Sequence, residues 1–198
     1  MELDQRSRIE AFWAWFEGKR IDLASPQPSD QTIAELDRRL ADLGVRNWEL
    51  GPGTVEANSL IISPGGEADR LGLVTEIVDS APLVKGWEWH HAKPPKNWKL
   101  RFEMDISGRQ VTIDGHDWEF LLYRFKDRTY DIVFHPLVQQ GLSKDDLLTA
   151  AFTLLDGELG EEARINLFGA VEVVSGWGTE PIEKVRRLEA GLLRRLVR

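Results

Sequence analysis

Residues that could do chemistry are thinly spread in this chain, and the densest group lies between Lys85 and Arg101. Lys85, Lys93, Lys96, Lys99 and Arg101 face a single acid, Glu88, so the segment is locally +4 in a chain of formal charge −8. Trp87, Trp89 and Trp98 stand in the same stretch. Cations interleaved with aromatic rings can hold phosphates and stack bases. They can equally form a core strand followed by a charged loop. Alternation in Trp87-Glu88-Trp89-His90-His91 sends Trp87, Trp89 and His91 to one face, which favours the core strand and moves the lysines to a loop around Pro94-Pro95. Two prolines extend that loop and remove two N–H donors. Lys93, Pro94, Pro95, Lys96 and Lys99 are therefore the expected partner-binding residues, a cationic tip for an acidic protein.

Other chemistry lacks the spacing it needs. The four histidines, His90, His91, His116 and His135, form no H-E-x-x-H pattern, and adjacent strand residues point to opposite faces. No metal site and no cofactor is expected. Neither G-x-x-x-x-G-K-[ST] nor G-x-G-x-x-G occurs. Ser63-Pro64-Gly65-Gly66 could offer N–H groups to an anion, but Glu67 and Asp69 follow at once and would repel it. Ser175 in Val174-Ser175-Gly176-Trp177-Gly178 only superficially resembles a nucleophile elbow. The acid pairs Asp145-Asp146 and Glu161-Glu162 read as a helix start and a solvated loop. No catalytic residue is assigned.

The elements that must position these residues follow from periodicity. Ile9, Phe12, Trp13 and Phe16 form a helical stripe that must dock on the body or on a second copy, so a homodimer is an allowed arrangement. LASPQPSD, residues 23–30, reads as a linker. Ser29 or Asp30 caps a second helix with Ile33, Leu36, Leu40 and Leu43 inward, and Gly44 stops it. Strand text at 48–50 runs into a turn at Gly51-Pro52-Gly53; a strand at 60–62 precedes a helix from about 67 to 80 with Leu71, Val74, Val78 and Ala81 inward. Residues 99–106 and 110–113 pair through Ser107-Gly108, and 118–125 with 129–135 through Lys126-Asp127-Arg128. Ser143 with Asp146 opens a helix carrying Leu147, Leu148, Ala151, Leu154 and Leu155. A strand at 170–174 precedes a final helix from about Pro181, with Ile182, Val185, Leu188, Leu192 and Leu196 inward and a basic outer face.

The predicted fold class is α+β: a mainly antiparallel sheet with helices on one face. The predicted organisation is an aromatic helix and linker over 1–30 and one α+β domain over 31–198. Halves at 45–95 and 115–175 read as two β-β-α-β units related by duplication. Trp48-Glu49-Leu50 against Trp118-Glu119-Phe120, and Ile62-Ser63-Pro64 against Phe134-His135-Pro136, carry that match.

Composition narrows the classes further. With 42% hydrophobic and 29% charged residues the chain is globular in character, and zero cysteines exclude disulfides, thiolate metal sites and a thiol nucleophile. No apolar run reaches the ~18 residues of a membrane span, and the opening MELDQRSRIEAFWAWFEGKR lacks a secretory pattern, so a cytoplasmic protein without a membrane partner is expected. Net negative charge disfavours nucleic acid as the partner.

Trp48-Glu49-Leu50-Gly51-Pro52-Gly53, Ser63-Pro64, Ala81-Pro82, the Trp87 to Pro95 stretch and Leu155-Asp156-Gly157-Glu158-Leu159-Gly160-Glu161 occur in this order. Over residues 45–175 the set is similar to a family of uncharacterised bacterial proteins, a domain of unknown function. The resemblance implies no activity, cofactor or catalytic residue. The expected function is a non-catalytic protein–protein contact of inhibitor, immunity or regulatory type. A hydrolase-type enzyme using acids and histidines around 90–135 is the alternative, and single-stranded nucleic-acid binding the second.

Overall fold

Helix α1, Gln5–Leu23, begins where Asp4 accepts a bond from the Ser7 N–H at 2.8 Å, and its aromatic stripe has no exposed member. Ile9, Phe12, Trp13 and Phe16 enter one apolar cluster with Leu36, Leu40, Leu60, Ile62, Val74, Ile77 and Trp87. The computed structural model describes residues 4–138, 141–178 and 182–197. The chain divides into two compact units that meet at Lys93 and Pro94. That boundary falls inside the stretch read above as one domain, and α1 belongs to the first unit's core. No second copy is needed to cover its stripe.

In the first unit, Ser29 caps α2, Asp30–Asp42. Ser29 and Thr32 donate their hydroxyls to the Asp22 carboxylate at 2.7 and 2.5 Å, which ties the 23–30 segment into a tight helix–helix corner. Strands β1, Asn47–Pro52, and β2, Asn58–Ser63, pair antiparallel; α3, Leu71–Asp79, then crosses over to β3, Trp87–His90, which runs parallel to β2. The expected turn at Gly51-Pro52-Gly53 is displaced. Strand β1 continues through Pro52, opposite Asn58. The Gly53 N–H bonds Ala57 and the Asn58 N–H bonds Gly86, so odd residues of β1 face β2 and even ones face the open edge. Pro52 thus removes a donor the ladder does not use. On α3 the buried residues are Val74 and Ile77; Val78, and Ala81 just past the helix, pack half-buried against the same cluster, and Leu71 is half-buried. Residues 68–70 form a 3₁₀ turn instead of the first helical turn.

The second unit opens with β4, Arg101–Ile106, and β5, Arg109–Asp114. Ser107 and Gly108 both have positive φ, 54° and 79°, the conformation a two-residue type I′ hairpin requires. Strands β6, Trp118–Arg124, and β7, Tyr130–Pro136, pair antiparallel. Ser143 and Asp146 form a reciprocal capping box on α4, Lys144–Leu159, and α5, Glu161–Leu167, leads into β8, Phe168–Val173, parallel to β7. The predicted last helix is broken up. A 3₁₀ turn at 182–184 is followed by β9, Arg186–Arg187, which pairs with the edge of β6, and by a short α6, Leu192–Leu196. Ile182 is exposed, Leu188 is buried, and Pro181 lies outside the described residues. Gly191 at φ 73° interrupts helical continuation, and the open edge of β6 captures the preceding residues.

Both units are α+β, and both contain an antiparallel hairpin, a helical crossover and a parallel third strand, in the orders β1-β2-β3 and β6-β7-β8. The echoed phrases do not occupy matching ladder positions. Trp48 faces Ile62, whereas Trp118 faces Pro136 and Phe120 faces Phe134. Among the described residues, no helix is long and apolar enough to cross a membrane.

Candidate protein-docking site

Of the expected partner-binding residues, Pro94, Pro95, Lys96 and Lys99 fall in the second unit, where main-chain bonds secure the segment. The Lys96 N–H donates to the Gly157 carbonyl at 2.8 Å, and the Arg194 guanidinium donates to the Lys96 carbonyl at 2.5 Å. Two residues on, the Trp98 ring lies on α4 and stacks on Phe102 at 5.9 Å. A Cβ at Gly157 would stand 2.1 Å from that ring, so the glycine makes room for the indole. The Trp98 Nε1–H reaches the Glu158 carboxylate at 3.3 Å. Pro95, Lys96, Asn97 and Lys99 are nevertheless exposed, and the Lys96 ammonium sits 5.9 Å from the Trp98 ring centre. The result is a cationic strap whose backbone is already ordered.

Lys93 is the last residue of the first unit, and its ammonium pairs with Glu49 at 2.8 Å. Both side chains of that pair remain partly exposed. Trp89 anchors its side of the segment, donating to the Pro82 carbonyl at 3.0 Å and stacking on Trp87 at 5.7 Å. All three tryptophans are committed to packing, which leaves charge without a stacking platform.

The residues that hold the strap were not singled out in the sequence. Glu158 is fully buried; one oxygen accepts from Trp98, and the other from the Gly191 N–H at 2.7 Å. Arg194, expected on a solvated basic face, instead bonds the carbonyls of Lys96, Gly157 and Glu158. The pair Glu161-Glu162, expected in a loop, opens α5, and Glu161 is buried. Nearby, Arg164 bonds Asp156 at 2.5 Å and lies 5.0 Å over the Phe152 ring. The available signal was Leu155-Asp156-Gly157-Glu158-Leu159: an acid on the apolar stripe of a helix, beside a glycine, marks a buried polar contact.

Comparison with protein-family models, with curated proteins and with solved structures returns no match for the chain. What the site can do therefore rests on its geometry. His90 bonds Glu88 at 3.0 Å, His116 bonds Asp114 at 2.8 Å, and His135 bonds the Val174 carbonyl at 3.1 Å, so these three sit in separate local contacts. Among the described residues no three His, Asp or Glu side chains converge as metal ligands would. Glu88 has a structural task instead. It accepts the N–H groups of Thr54, Val55 and Glu56 at 2.7, 2.8 and 2.9 Å. Those backbone donors, led by Glu56 and Thr54, hold its carboxyl far below the usual carboxylate range.

Proposed function

We propose that this is a non-catalytic cytosolic protein that works through a protein–protein contact of inhibitor, immunity or regulatory type, with the strap at Pro95–Lys99 meeting an acidic partner. The observation that carries this reading is the combination of exposed lysines with a fixed main chain. Lys96 is held at both its N–H and its carbonyl while its ammonium stays in solvent. An ordered backbone lowers the entropic cost of association, and exposed like charges raise the rate and specificity of meeting an opposite surface. The similarity of the Trp48–Gly53 and Leu155–Glu161 phrases to a bacterial family belongs to this reading and adds no activity to it.

The test is capture from a native lysate by the wild type and by the double variant Lys96→Glu, Lys99→Glu, each washed across a salt series. Both side chains are exposed, so the variant keeps its circular dichroism spectrum and its melting temperature, within roughly 0.5 kcal/mol of stability per site. The wild-type complex weakens steeply with salt; the variant retains less partner and responds more flatly, because the attraction that salt screens has been removed. Equal retention with equal salt dependence would exclude the strap as the interface.

A further inference from the structure

A second recognition site follows from the first unit, independent of the strap. A cleft of about 700 Å³ opens beside β1, between that strand and the corner joining α1 to α2. Its floor is apolar, with Leu23, Ile33, Trp48, Leu50 and Trp87, and Pro26 and Pro28 form the opposite wall. The volume lies within the ~300–1,000 Å³ typical of ligand clefts. Strand β1 is the outer strand of its sheet, in the order β1-β2-β3. The bonds Gly53 N–H to Ala57 and Asn58 N–H to Gly86 fix the phase of the ladder. Glu49 and Gly51 therefore point their N–H and C=O groups at β2, whereas Trp48 and Leu50 point theirs at the open edge. Trp48 is itself held in place by its Nε1–H bond to Asp37 at 3.0 Å.

We propose that the open edge of β1 and the cleft beside it bind an extended basic–apolar peptide as an added antiparallel strand. In that arrangement the residues opposite Trp48 and Leu50 exchange main-chain bonds with them and send their side chains into the cleft. Main-chain pairing supplies affinity, and the apolar floor selects the alternate side chains. Net charge sets the preference: the one charged residue lining the cleft, Glu49, is already paired with Lys93, but the unit up to Lys93 carries 16 acids against 10 bases, a field that favours a cationic over an anionic peptide.

The probe is an end-blocked hexapeptide alternating lysine and valine. Its binding to the full chain is followed by NMR, with amide hydrogen exchange read residue by residue. Added peptide should slow exchange at Trp48 and Leu50, whose N–H groups gain partners, with little change at Glu49 and Gly51, already paired with β2. N-methylation of the valine amides should abolish binding, since those amides face β1; N-methylation of the lysine amides should leave it within about twofold. A glutamate–valine hexapeptide should bind at least about tenfold more weakly. Leu50→Pro removes one edge donor and one side chain of the cleft floor while leaving every donor of the β2 ladder in place, and should cost at least about tenfold in affinity. No binding, protection that spares Trp48 and Leu50, or equal affinity for the two N-methylated peptides would overturn the proposal. The wild-type exchange data decide it even where the proline variant fails to fold.

Discussion

Two glutamates, one in each unit, do the same chemical job in different ways. Glu88 lies on β3 and collects three consecutive N–H groups of the β1–β2 loop, together with the Thr54 hydroxyl and His90. Glu158 lies near the end of α4 and collects two donors remote in sequence, the Trp98 indole and the Gly191 N–H. Glu88 neutralises a local nest of amides, a concavity that any anion would suit. Removing it frees one loop. Glu158 instead joins the strap, α4 and the segment before α6, so its loss should be felt in all three. A carboxylate stabilises a fold according to how many separate segments it ties, as well as how many bonds it accepts.

Truncating Glu158 should give the largest effect. Glu158→Ala removes a fully buried side chain, leaves the half-buried Trp98 and Gly191 donors without their acceptor and opens a cavity, and should cost about 3 kcal/mol, read by denaturant unfolding. If the loss is no larger than for Glu88→Ala, the contrast between a tie and a local cradle fails. Next comes Gly157→Ala. The new methyl group meets the Trp98 ring, and displacing the indole should cost about 1–3 kcal/mol despite the better helix propensity of alanine. A shifted Trp98 indole N–H resonance in this variant would show that the strap has moved with it.

Smaller still is Glu88→Gln. The amide oxygen keeps some of the loop's donors, so a loss of about 1–2 kcal/mol at neutral pH is expected. This variant also has a pH signature. Glu88 ionises more readily folded than unfolded, so its contribution is fully present above the ordinary carboxylate range, near 4.5, and is lost as the pH falls from there towards its depressed folded value. Stability of the wild type should therefore fall more steeply than that of Glu88→Gln below about pH 4.5, and the two curves should converge in acid. Parallel curves would mean that the loop amides do not favour the charged form. The exposed double variant of Lys96 and Lys99 should show the smallest change in stability and the largest in binding.

Much of the fold was legible in local text. Helix α1 could be read because Ile9, Phe12, Trp13 and Phe16 repeat at helical spacing, and the Ser107-Gly108 hairpin because only a few residue pairs take positive φ twice in succession. The capping box at Ser143 and Asp146 needs only three residues of separation. The strap itself was visible as lysines around two prolines. Its supports were not, since Gly157, Glu158 and Arg194 lie 60 to almost 100 residues further along the chain.

The sequence by itself determined the α+β class, the helical stripes of α1, α2 and α4, the two hairpins of the second unit and the cationic character of residues 93–99. Each follows from composition or from spacings of a few residues, where backbone geometry decides alone. Tertiary structure decided where β1 ends, that the chain from Arg186 follows a sheet edge and then a short helix instead of one long helix, that Lys93 pairs with Glu49, and that the chain divides at Lys93 and Pro94. Those outcomes depend on which edge is open, which carboxylate is near and which helix leaves room for an indole. Such facts exist only once distant segments have met, because hydrogen bonds and packing act over a few ångströms and take no account of separation along the chain.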